Sequence, residues 1–404
     1  MASCDGELTI TPTTAIFLAR ALRDFGDGFI VILLPVYLTA LGFDALQIGL
    51  VATLALLGSA ILTLAIGLLG VRIDKRTLLL AASFLMMLTG VAFALSSASL
   101  LILLIAFVGT INPSSGSVSI FVPLEHAVLS QHVADSRRTH MFSQYSLIGA
   151  LAAAAGALLV GGPDLAPNMG LERITVLKLL FGFYSLLGLA GAWCYASIPV
   201  DNTHPSERQV TALGPSKKIV YKLAALFSID AFAGGFAVQA LIALWLFNKF
   251  GLSLTSAGLF FFWSGVLAAF SFPVAAWLAR KIGLINTMVF THIPSSLFLI
   301  AAALVPNLNL ALLFLLARAA LSQMDVPTRS SYVMAMVTPA ERPAAASVTS
   351  VPRSLAAALS PAFAGALFAA GLEAWPLIIC GVLKIAYDIL LLIMFSRFKP
   401  PEEQ

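Results

Sequence analysis

Twelve long apolar runs, separated by short polar breaks, constrain this 404-residue chain more than any other feature. A helix needs about 20 consecutive apolar residues to cross a bilayer. Only 10% of the residues are charged, against about 25% in soluble domains, so most of the surface must face lipid. We therefore expect an all-α integral membrane protein. Spans are predicted near residues 14–41, 45–70, 77–97, 100–132, 141–161, 173–198, 222–248, 253–279, 284–304, 308–336, 343–370 and 374–396.

The charge distribution argues against a nucleic-acid partner and predicts the orientation in the membrane. The net charge is +4, but the basic residues lie in small clusters between apolar runs instead of one patch. Loops that carry Lys and Arg remain cytoplasmic, and here the basic loops alternate along the chain. We expect both termini to be cytoplasmic, in a bacterial inner (plasma) membrane. The basic residues of these loops are Arg72, Lys75, Arg76, Arg137, Arg138, Arg208, Lys217, Lys218, Lys222, Arg280, Lys281, Arg342, Arg397 and Lys399.

Metal, cofactor and enzyme chemistry find little support in the sequence. The cysteines Cys4, Cys194 and Cys380 lie far apart, which indicates neither a disulfide framework nor a zinc site. His126 and His132 are six residues apart and do not share a helix face, so a metal site with Glu125 and Asp135 is not expected. No nucleophile–base order and no phosphate-binding loop is present. We predict a protein that is not an enzyme and binds no cofactor or metal.

The chain divides into two similar halves. The longest polar stretch lies between the sixth and seventh runs, which predicts bundles at residues 1–198 and 222–404 joined by a cytoplasmic linker at 199–221. An offset of 204 residues places Val122-Pro123 on Val326-Pro327, Arg138 on Arg342 and Gly161 on Gly365, and an offset of 207 places Gly28-Phe29 on Gly235-Phe236. Repeats of six spans are typical of transporters. We expect two pseudo-symmetric six-helix bundles around a central cavity.

A basic loop after the second span carries a family signature. Residues 67–76 read Gly-Leu-Leu-Gly-Val-Arg-Ile-Asp-Lys-Arg. With the six-plus-six layout, this resembles the major facilitator superfamily, whose signature runs Gly-x-x-x-Asp-Arg-x-Gly-Arg-Arg/Lys. Val71 replaces the family's Asp, and Asp74 replaces its second Gly. The resemblance implies a latch that helps to close the cytoplasmic side, formed by Gly67, Arg72, Asp74, Lys75 and Arg76; topology determination is the alternative role of these charges.

The fifth span is similar to the antiporter motif of that family's drug–proton exchangers. It contains Gly149, Gly156, Gly161 and Gly162 but lacks the motif's proline, while the eleventh span has Ser360-Pro361 followed by Gly365. The resemblance points to the drug/metabolite–proton antiporter branch. Helix packing is the simpler reading of these small residues, because they let backbones approach closely.

Ionisable residues inside the spans are the candidate functional residues, because a charge in the bilayer usually faces a cavity or a partner. In the first span Arg20/Asp24 and Arg23/Asp27 are i,i+4 pairs that can neutralise each other. A carboxylate in a partly dry cavity favours its protonated form, which suits reversible proton binding. The proton-coupling candidates are Asp24, Asp27 and Glu125, and the substrate-cavity candidates are Arg20, Asn112, Tyr145, Gln239, Arg318, Asp325, Arg329 and Arg353.

The repeat also predicts a pair between the halves. An offset of 204 places Glu125 on Arg329, so the two are expected to face each other across the axis when the cytoplasmic side is closed. The alternatives are that each charge extends to the nearby interface, or that Glu125 faces Arg353 or Arg20.

A secondary transporter is the function that these features favour. We predict a monomer that moves a small molecule by alternating access, with protons and membrane lipid as its other partners. Proton-coupled efflux is the leading expectation. The alternatives are a proton-coupled uptake symporter of a small organic anion held by Arg318, Arg329 or Arg353, and, more remotely, an intramembrane enzyme or a sensor with a transporter fold.

Overall fold

The described part of the chain is helical and spans a membrane. A computed structural model describes residues 11–69, 73–114, 119–131, 138–199, 213–338 and 341–395. Ten helical segments in these ranges are long and apolar enough to cross a bilayer. The fifteen α-helices found there are α1 (Pro12–Ala40), α2 (Ala45–Leu69), α3 (Lys75–Leu95), α4 (Ser99–Val108), α5 (Phe121–Gln131), α6 (Arg138–Ala157), α7 (Arg173–Ala196), α8 (Lys217–Gly235), α9 (Gln239–Phe250), α10 (Leu254–Ile282), α11 (Leu284–Leu304), α12 (Leu308–Ser322), α13 (Asp325–Ala335), α14 (Arg342–Ala369) and α15 (Trp375–Phe395).

The two remaining spans depart from a plain apolar helix. The first, α1, carries four charged side chains, Arg20, Arg23, Asp24 and Asp27, all of them buried. The fourth is divided into α4 and α5, and α4 has only 10 residues. Within it, Gly109 ends α4 and Pro113 follows, a residue that cannot donate a backbone hydrogen bond. Together these segments give the predicted twelve spans.

Spans seven and ten are also broken, each into two helices. The seventh is interrupted at Phe236–Val238, between α8 and α9, and the tenth at Gln323-Met324, between α12 and α13. The sequence predicted each of these as one continuous helix. Irregular backbone at membrane depth is tolerated only where it is buried in protein or lines a cavity. The breaks therefore mark where polar backbone lies near the centre of the molecule.

The helix boundaries support the repeat. Helices α5 and α13 begin 204 residues apart (121 and 325) and end 204 apart (131 and 335), and α6 and α14 begin at 138 and 342. Gly28 packs against the Ala153 backbone, and Gly235 packs against the Ala357 carbonyl oxygen, so the same approach of spans one and five recurs between spans seven and eleven. The predicted architecture of two pseudo-symmetric six-helix bundles is confirmed. The linker residues 200–212 lie outside the described residues.

The halves contact each other at one membrane face. We call the face with the basic loops at residues 73–76 and 213–217 the basic face, and the face with the turns at 41–44, 251–253 and 370–374 the opposite face. Helix α2 packs on α14, α6 on α10, and α1 on α9. Near the opposite face, a Cβ added to Gly49 would lie 2.9 Å from the Gly365 Cα, so glycine is required for this crossing. These contacts close the opposite-face side.

Candidate functional site

A cavity of about 520 Å³ lies between the two halves. The broken spans four and seven meet beside it, where the Ala240 amide donates a hydrogen bond of 3.1 Å to the Pro113 carbonyl oxygen. On the opposite-face side, the Asp164 carboxylate accepts hydrogen bonds of 3.0 Å from the Thr255 amide and 3.1 Å from its hydroxyl, joining the segment after α6 to the start of α10. Both links cross from one half to the other.

Six of the predicted site residues lie on the cavity wall. Arg20 and Asp24 come from α1, Tyr145 from α6, and Gln239 from the start of α9. Arg318 from α12 and Arg353 from α14 complete this set. The predicted site thus converges from both halves, as expected for a transporter, although the roles of these residues remain predictions.

Other predicted residues do not lie on the described wall. Glu125, Asp325 and Arg329 are buried behind it in ion pairs. The carboxylate of Asp27 accepts a hydrogen bond of 3.2 Å from the Tyr184 hydroxyl. Asn112 accepts hydrogen bonds from the Ser114 amide and hydroxyl, so it shapes the break between α4 and α5. Asn112, Asp325 and Arg329 thus lie off the described cavity wall in this conformation, and their assignment to the substrate cavity stays a prediction.

The N-terminal half contains a closed network around Glu125. Arg23 makes a bidentate ion pair with it, with Nη1–Oε1 and Nη2–Oε2 distances of 2.9 and 3.0 Å. The hydroxyls of Tyr145 and Tyr195 donate to the same carboxylate. Four donors thus surround a side chain with no solvent exposure. Such saturation is what makes a buried charge tolerable.

The first span pairs its charges differently from the sequence prediction. Arg20 and Asp24 do form the expected pair, with a distance of 2.7 Å between Nε and Oδ2. Arg23, however, reaches Glu125 and not Asp27. This pairing could not be predicted, because an i,i+4 spacing identifies neighbours on one helix but not competing partners from another helix.

The expected pair between Glu125 and Arg329 is not formed in this conformation. Arg329 Nη1 instead contacts Asp230 at 3.1 Å and Asp325 at 2.9 Å, all within the C-terminal half. The sequence offsets explain the result. Arg23 and Asp230 are 207 residues apart, and Glu125 and Arg329 are 204 apart. The two ion pairs are therefore repeat-related equivalents of each other, with their charges reversed.

Further charged groups of the C-terminal half adjoin this pair. Asp230 Oδ1 accepts a hydrogen bond of 2.6 Å from Lys384, and His292 Nδ1 lies 3.0 Å from both carboxylate oxygens of Asp388. Asp230, Lys384 and Asp388 lie within the predicted seventh and twelfth spans, but they were not among the predicted site residues. His292 was missed entirely, although a histidine inside a predicted span is itself a signal.

The loop after span two is described only in part. Arg72 lies outside the described residues, and Gly67 lies near the end of α2. Asp74 caps α3 by accepting a hydrogen bond of 3.2 Å from the Thr77 amide, Lys75 begins that helix, and Arg76 donates one of 2.7 Å to the Ala196 carbonyl. These contacts lie within the N-terminal half. The predicted latch between halves stays a prediction.

Comparisons with known proteins agree with this architecture. A yeast protein described as an uncharacterized membrane protein, YJR124C of Saccharomyces cerevisiae, is 25% identical over 410 residues, which cover 93% of this chain and 92% of that one. The nucleoside transporter NupG superposes with a TM-score of 0.72 at 14% identity, over 96% of this chain and all of that one.

Two further solved structures share the fold. A bacterial homologue of the human lysosomal transporter Spinster, in an inward-facing and occupied conformation, gives a TM-score of 0.72 at 17% identity, over 95% of this chain and 97% of that one. The human organic anion transporter MFSD10 (TETRAN) gives 0.66 at 16% identity, over 96% and 99%. The sequence profile of the Major Facilitator Superfamily matches residues 16–323 and 223–404. With twelve spans in two repeats around a cavity, this chain belongs to the major facilitator superfamily.

Proposed function

We propose that this chain is a secondary transporter that carries a small organic anion through the central cavity by alternating access, with a proton as the coupling ion. The observation that carries the proposal is a pair of cationic side chains on the cavity wall. Arg318 and Arg353 come from different helices, and within the described ranges neither guanidinium has a hydrogen-bond or ion-pair partner. Such a charge is costly unless a ligand neutralises it.

Arginine suits a carboxylate or phosphate ligand, because its planar guanidinium presents two parallel donors. The other charged groups of the cavity differ in this respect: Arg20 is held by Asp24, and Lys384 by Asp230. An organic anion is also the solute that the description of MFSD10 names for that protein. Its low identity supports the fold alone, so the substrate class rests on the two arginines.

Counterflow in proteoliposomes tests the proposal. The purified chain is offered a panel of monocarboxylates, dicarboxylates, nucleosides and organic cations, with and without an imposed pH gradient. We expect exchange of anions, and a loss of about tenfold or more in Arg318→Gln and Arg353→Gln, because each removes a charge-assisted bond of about 1.5–3 kcal/mol. Arg280→Gln is the matched control, since Arg280 is exposed at the end of α10. Exchange of neutral solutes alone, or full activity in both variants, contradicts the proposal.

Proton-coupled efflux by antiport, the leading expectation from the sequence, is the second candidate. The observation that favours it is the acidic pair on α1: Asp24 reaches the cavity wall, and Asp27 is buried one turn further along the helix. If Asp27 carries the coupling proton, Asp27→Asn abolishes gradient-driven transport and leaves substrate exchange intact. Unchanged gradient-driven transport in that variant removes Asp27 from the mechanism.

A further inference from the structure

A cluster of four titratable side chains lies in the C-terminal half, beside the two cavity arginines. It consists of His292 from α11, Lys384 and Asp388 from α15, and Asp230 from α8. Asp388 is fully buried, and His292 is 3% exposed. Asp230, His292 and Lys384 line the central cavity. The cluster therefore connects a buried acid–imidazole pair to the space in which a solute binds.

The hydrogen-bond roles of the two His292 ring nitrogens are assigned from their neighbours. His292 Nε2 lies 3.3 Å from the Lys384 ammonium nitrogen, which has only protons to donate, so Nε2 must accept. A neutral imidazole that accepts through Nε2 carries its proton on Nδ1. Nδ1 then donates to the Asp388 carboxylate, 3.0 Å away. In this state His292 is neutral, and its only free lone pair is used by Lys384.

A proton that binds His292 must take that lone pair. Nε2 then becomes a donor that faces the ammonium of Lys384, and the contact turns repulsive. An acceptor for the new N–H is already close, because Asp230 Oδ1 lies 3.9 Å from Nε2. That same oxygen holds Lys384 at 2.6 Å. The imidazolium and the ammonium therefore compete for one carboxylate oxygen.

We propose that His292 is the coupling-proton site, and that its protonation displaces Lys384 from Asp230 into the cavity, where the ammonium completes an anion site with Arg318 and Arg353. The proposal rests on the proposed function, since it assigns the coupling site of that transporter. The Lys384 side chain is the most exposed member of the cluster, at 14%, and can move toward the cavity without crossing the protein core. Asp388 holds the imidazole ring in place throughout.

The groups around His292 confine this exchange of partners to His292, Lys384 and Asp230. Helix α10, which packs on α11, has no charged residue between positions 254 and 279. Asp325 is engaged by Arg329, which also holds the second oxygen of Asp230. The charged or titratable groups on the elements around His292 include Cys380, Lys384, Tyr387 and Asp388 of α15, Asp230 of α8, Arg318 of α12, Asp325, Arg329 and Tyr332 of α13, and Arg353 of α14.

The direction of coupling follows from linkage. Protonation adds one positive charge to the cavity wall, so it tightens the binding of an anion, and a bound anion favours protonation by the same factor. A proton and an anion that promote each other's binding are carried together. The cluster therefore assigns symport to this transporter, instead of the antiport that the sequence favoured.

Histidine nitrogen NMR on the full chain in detergent tests the arrangement without any ligand. The chain has five histidines, so His292→Gln identifies the resonance. We expect His292 as the Nδ1–H tautomer at about pH 8, where an ordinary imidazole is neutral. Lys384→Met should move the Nε2 resonance of His292, whereas Lys281→Met, at an exposed lysine on Trp277, should not. An Nε2–H tautomer, or no response to Lys384→Met, overturns the proposal.

Binding of benzoate, with neutral benzamide as its control, tests the coupling. We expect benzoate affinity to rise by about fivefold or more between about pH 8 and about pH 5.5, as for other coupled sites. This rise should vanish in His292→Gln and in Lys384→Met but persist in His126→Gln, which changes a second histidine on the described cavity wall. Persistence in His292→Gln, or loss in His126→Gln, overturns the proposal. Absence of anion binding at both pH values contradicts the proposed substrate class, while the NMR result still decides the proton site.

Discussion

The two halves of this transporter solve one structural problem with opposite charges. In the N-terminal half a span-one arginine, Arg23, is paired with a span-four glutamate, Glu125; in the C-terminal half a span-seven aspartate, Asp230, is paired with a span-ten arginine, Arg329. The members of the two pairs are repeat-related. The repeat therefore retains an ion pair that joins the first and fourth spans of each half, and not the identity of the residues.

The surroundings of the two pairs differ more than the pairs themselves. Besides Arg23, the Glu125 carboxylate is bound by two tyrosine hydroxyls, which are uncharged at neutral pH. Asp230 is instead shared with Lys384 and lies near His292. The N-terminal pair is thus built to stay fixed, whereas the C-terminal pair has alternative partners and direct access to the cavity. A switchable site needs such a choice of partners.

Neutralising Glu125 should give the largest loss of stability. Glu125→Gln leaves the buried Arg23 guanidinium with only Asp24, which lies 3.5 Å from its Nε and is already paired with Arg20; breaking a buried pair typically costs about 3–5 kcal/mol. Chemical unfolding of the purified chain measures the loss. Arg23→Gln combined with Glu125→Gln should recover part of it, and a double-mutant cycle gives the coupling energy. Glu172→Gln, at an exposed glutamate, is the control. A coupling energy near zero would contradict a locked N-terminal pair.

Neutralising Asp325 should cost less. Arg329 loses one acceptor in Asp325→Asn but retains Asp230, so the expected loss is about 1–3 kcal/mol, the usual effect of one unsatisfied buried partner. The same unfolding measurement applies. A loss equal to that of Glu125→Gln would mean that the C-terminal network has no redundancy, and the contrast between the halves would fail.

Much of the fold could be predicted from the sequence. The thickness of the bilayer sets the length of each apolar span, and the internal repeat relates the two halves by a nearly constant residue offset. The twelve spans agree with the helices to within a few residues at most ends, and the 204-residue offset agrees with α5 and α13. The breaks in spans seven and ten were missed, although Gly234-Gly235 directly precedes the break in span seven and is itself a signal of irregular backbone.

The site could be predicted only as a set of candidates. The sequence identified which charges lie in the membrane, but pairing depends on which helix faces meet. Arg23 pairs with Glu125 and not with Asp27, because α5 places the Glu125 carboxylate beside the Arg23 guanidinium. The spacing of residues along α1 cannot show this contact between helices. The repeat offset was correct, but it relates equivalent residues and not contacting ones. The contact of Glu125 with Arg329 was expected with the cytoplasmic side closed, and it stays a prediction for that conformation.

Removing the link between the halves at the opposite face should have a smaller effect. It should shift the populations of the conformations instead of lowering the stability of the fold. Asp164→Ala removes the two acceptor contacts to Thr255 at the start of α10, and loss of a helix-capping carboxylate costs about 1 kcal/mol, or roughly a fivefold shift in population. Distances between spin labels at Leu165 and Ser256, both exposed, report the opening.

Asp44 provides the matched control for Asp164. It also caps a helix at the opposite face, by accepting a hydrogen bond of 2.8 Å from the Gln47 amide, but within the N-terminal half alone. Asp44→Ala should leave the distance distribution unchanged. Equal opening in both variants would show that Asp164 acts on its own half and does not hold the two halves together.

The smallest effect is expected at Glu341, in the loop before α14 on the basic face. Hydrogen bonds from the Ser216 and Thr338 hydroxyls, each 2.8 Å, and one of 2.7 Å from the Gly214 amide lower the pKa of this carboxyl to about 2. These hydrogen bonds join the start of the C-terminal half to a later loop of the same half.

Because the folded state binds the ionised form of Glu341 more strongly, the contribution of these hydrogen bonds to stability is complete above the ordinary pKa near 4.5 and disappears as the pH falls through about 2. The melting temperature of Glu341→Gln should therefore lie below that of wild type by a constant amount from neutral pH down to about 5, and the gap should close in more acidic solution. A gap that widens on acidification would mean that Glu341 is held in its protonated form, and the hydrogen-bond assignment to an ionised carboxylate would be wrong.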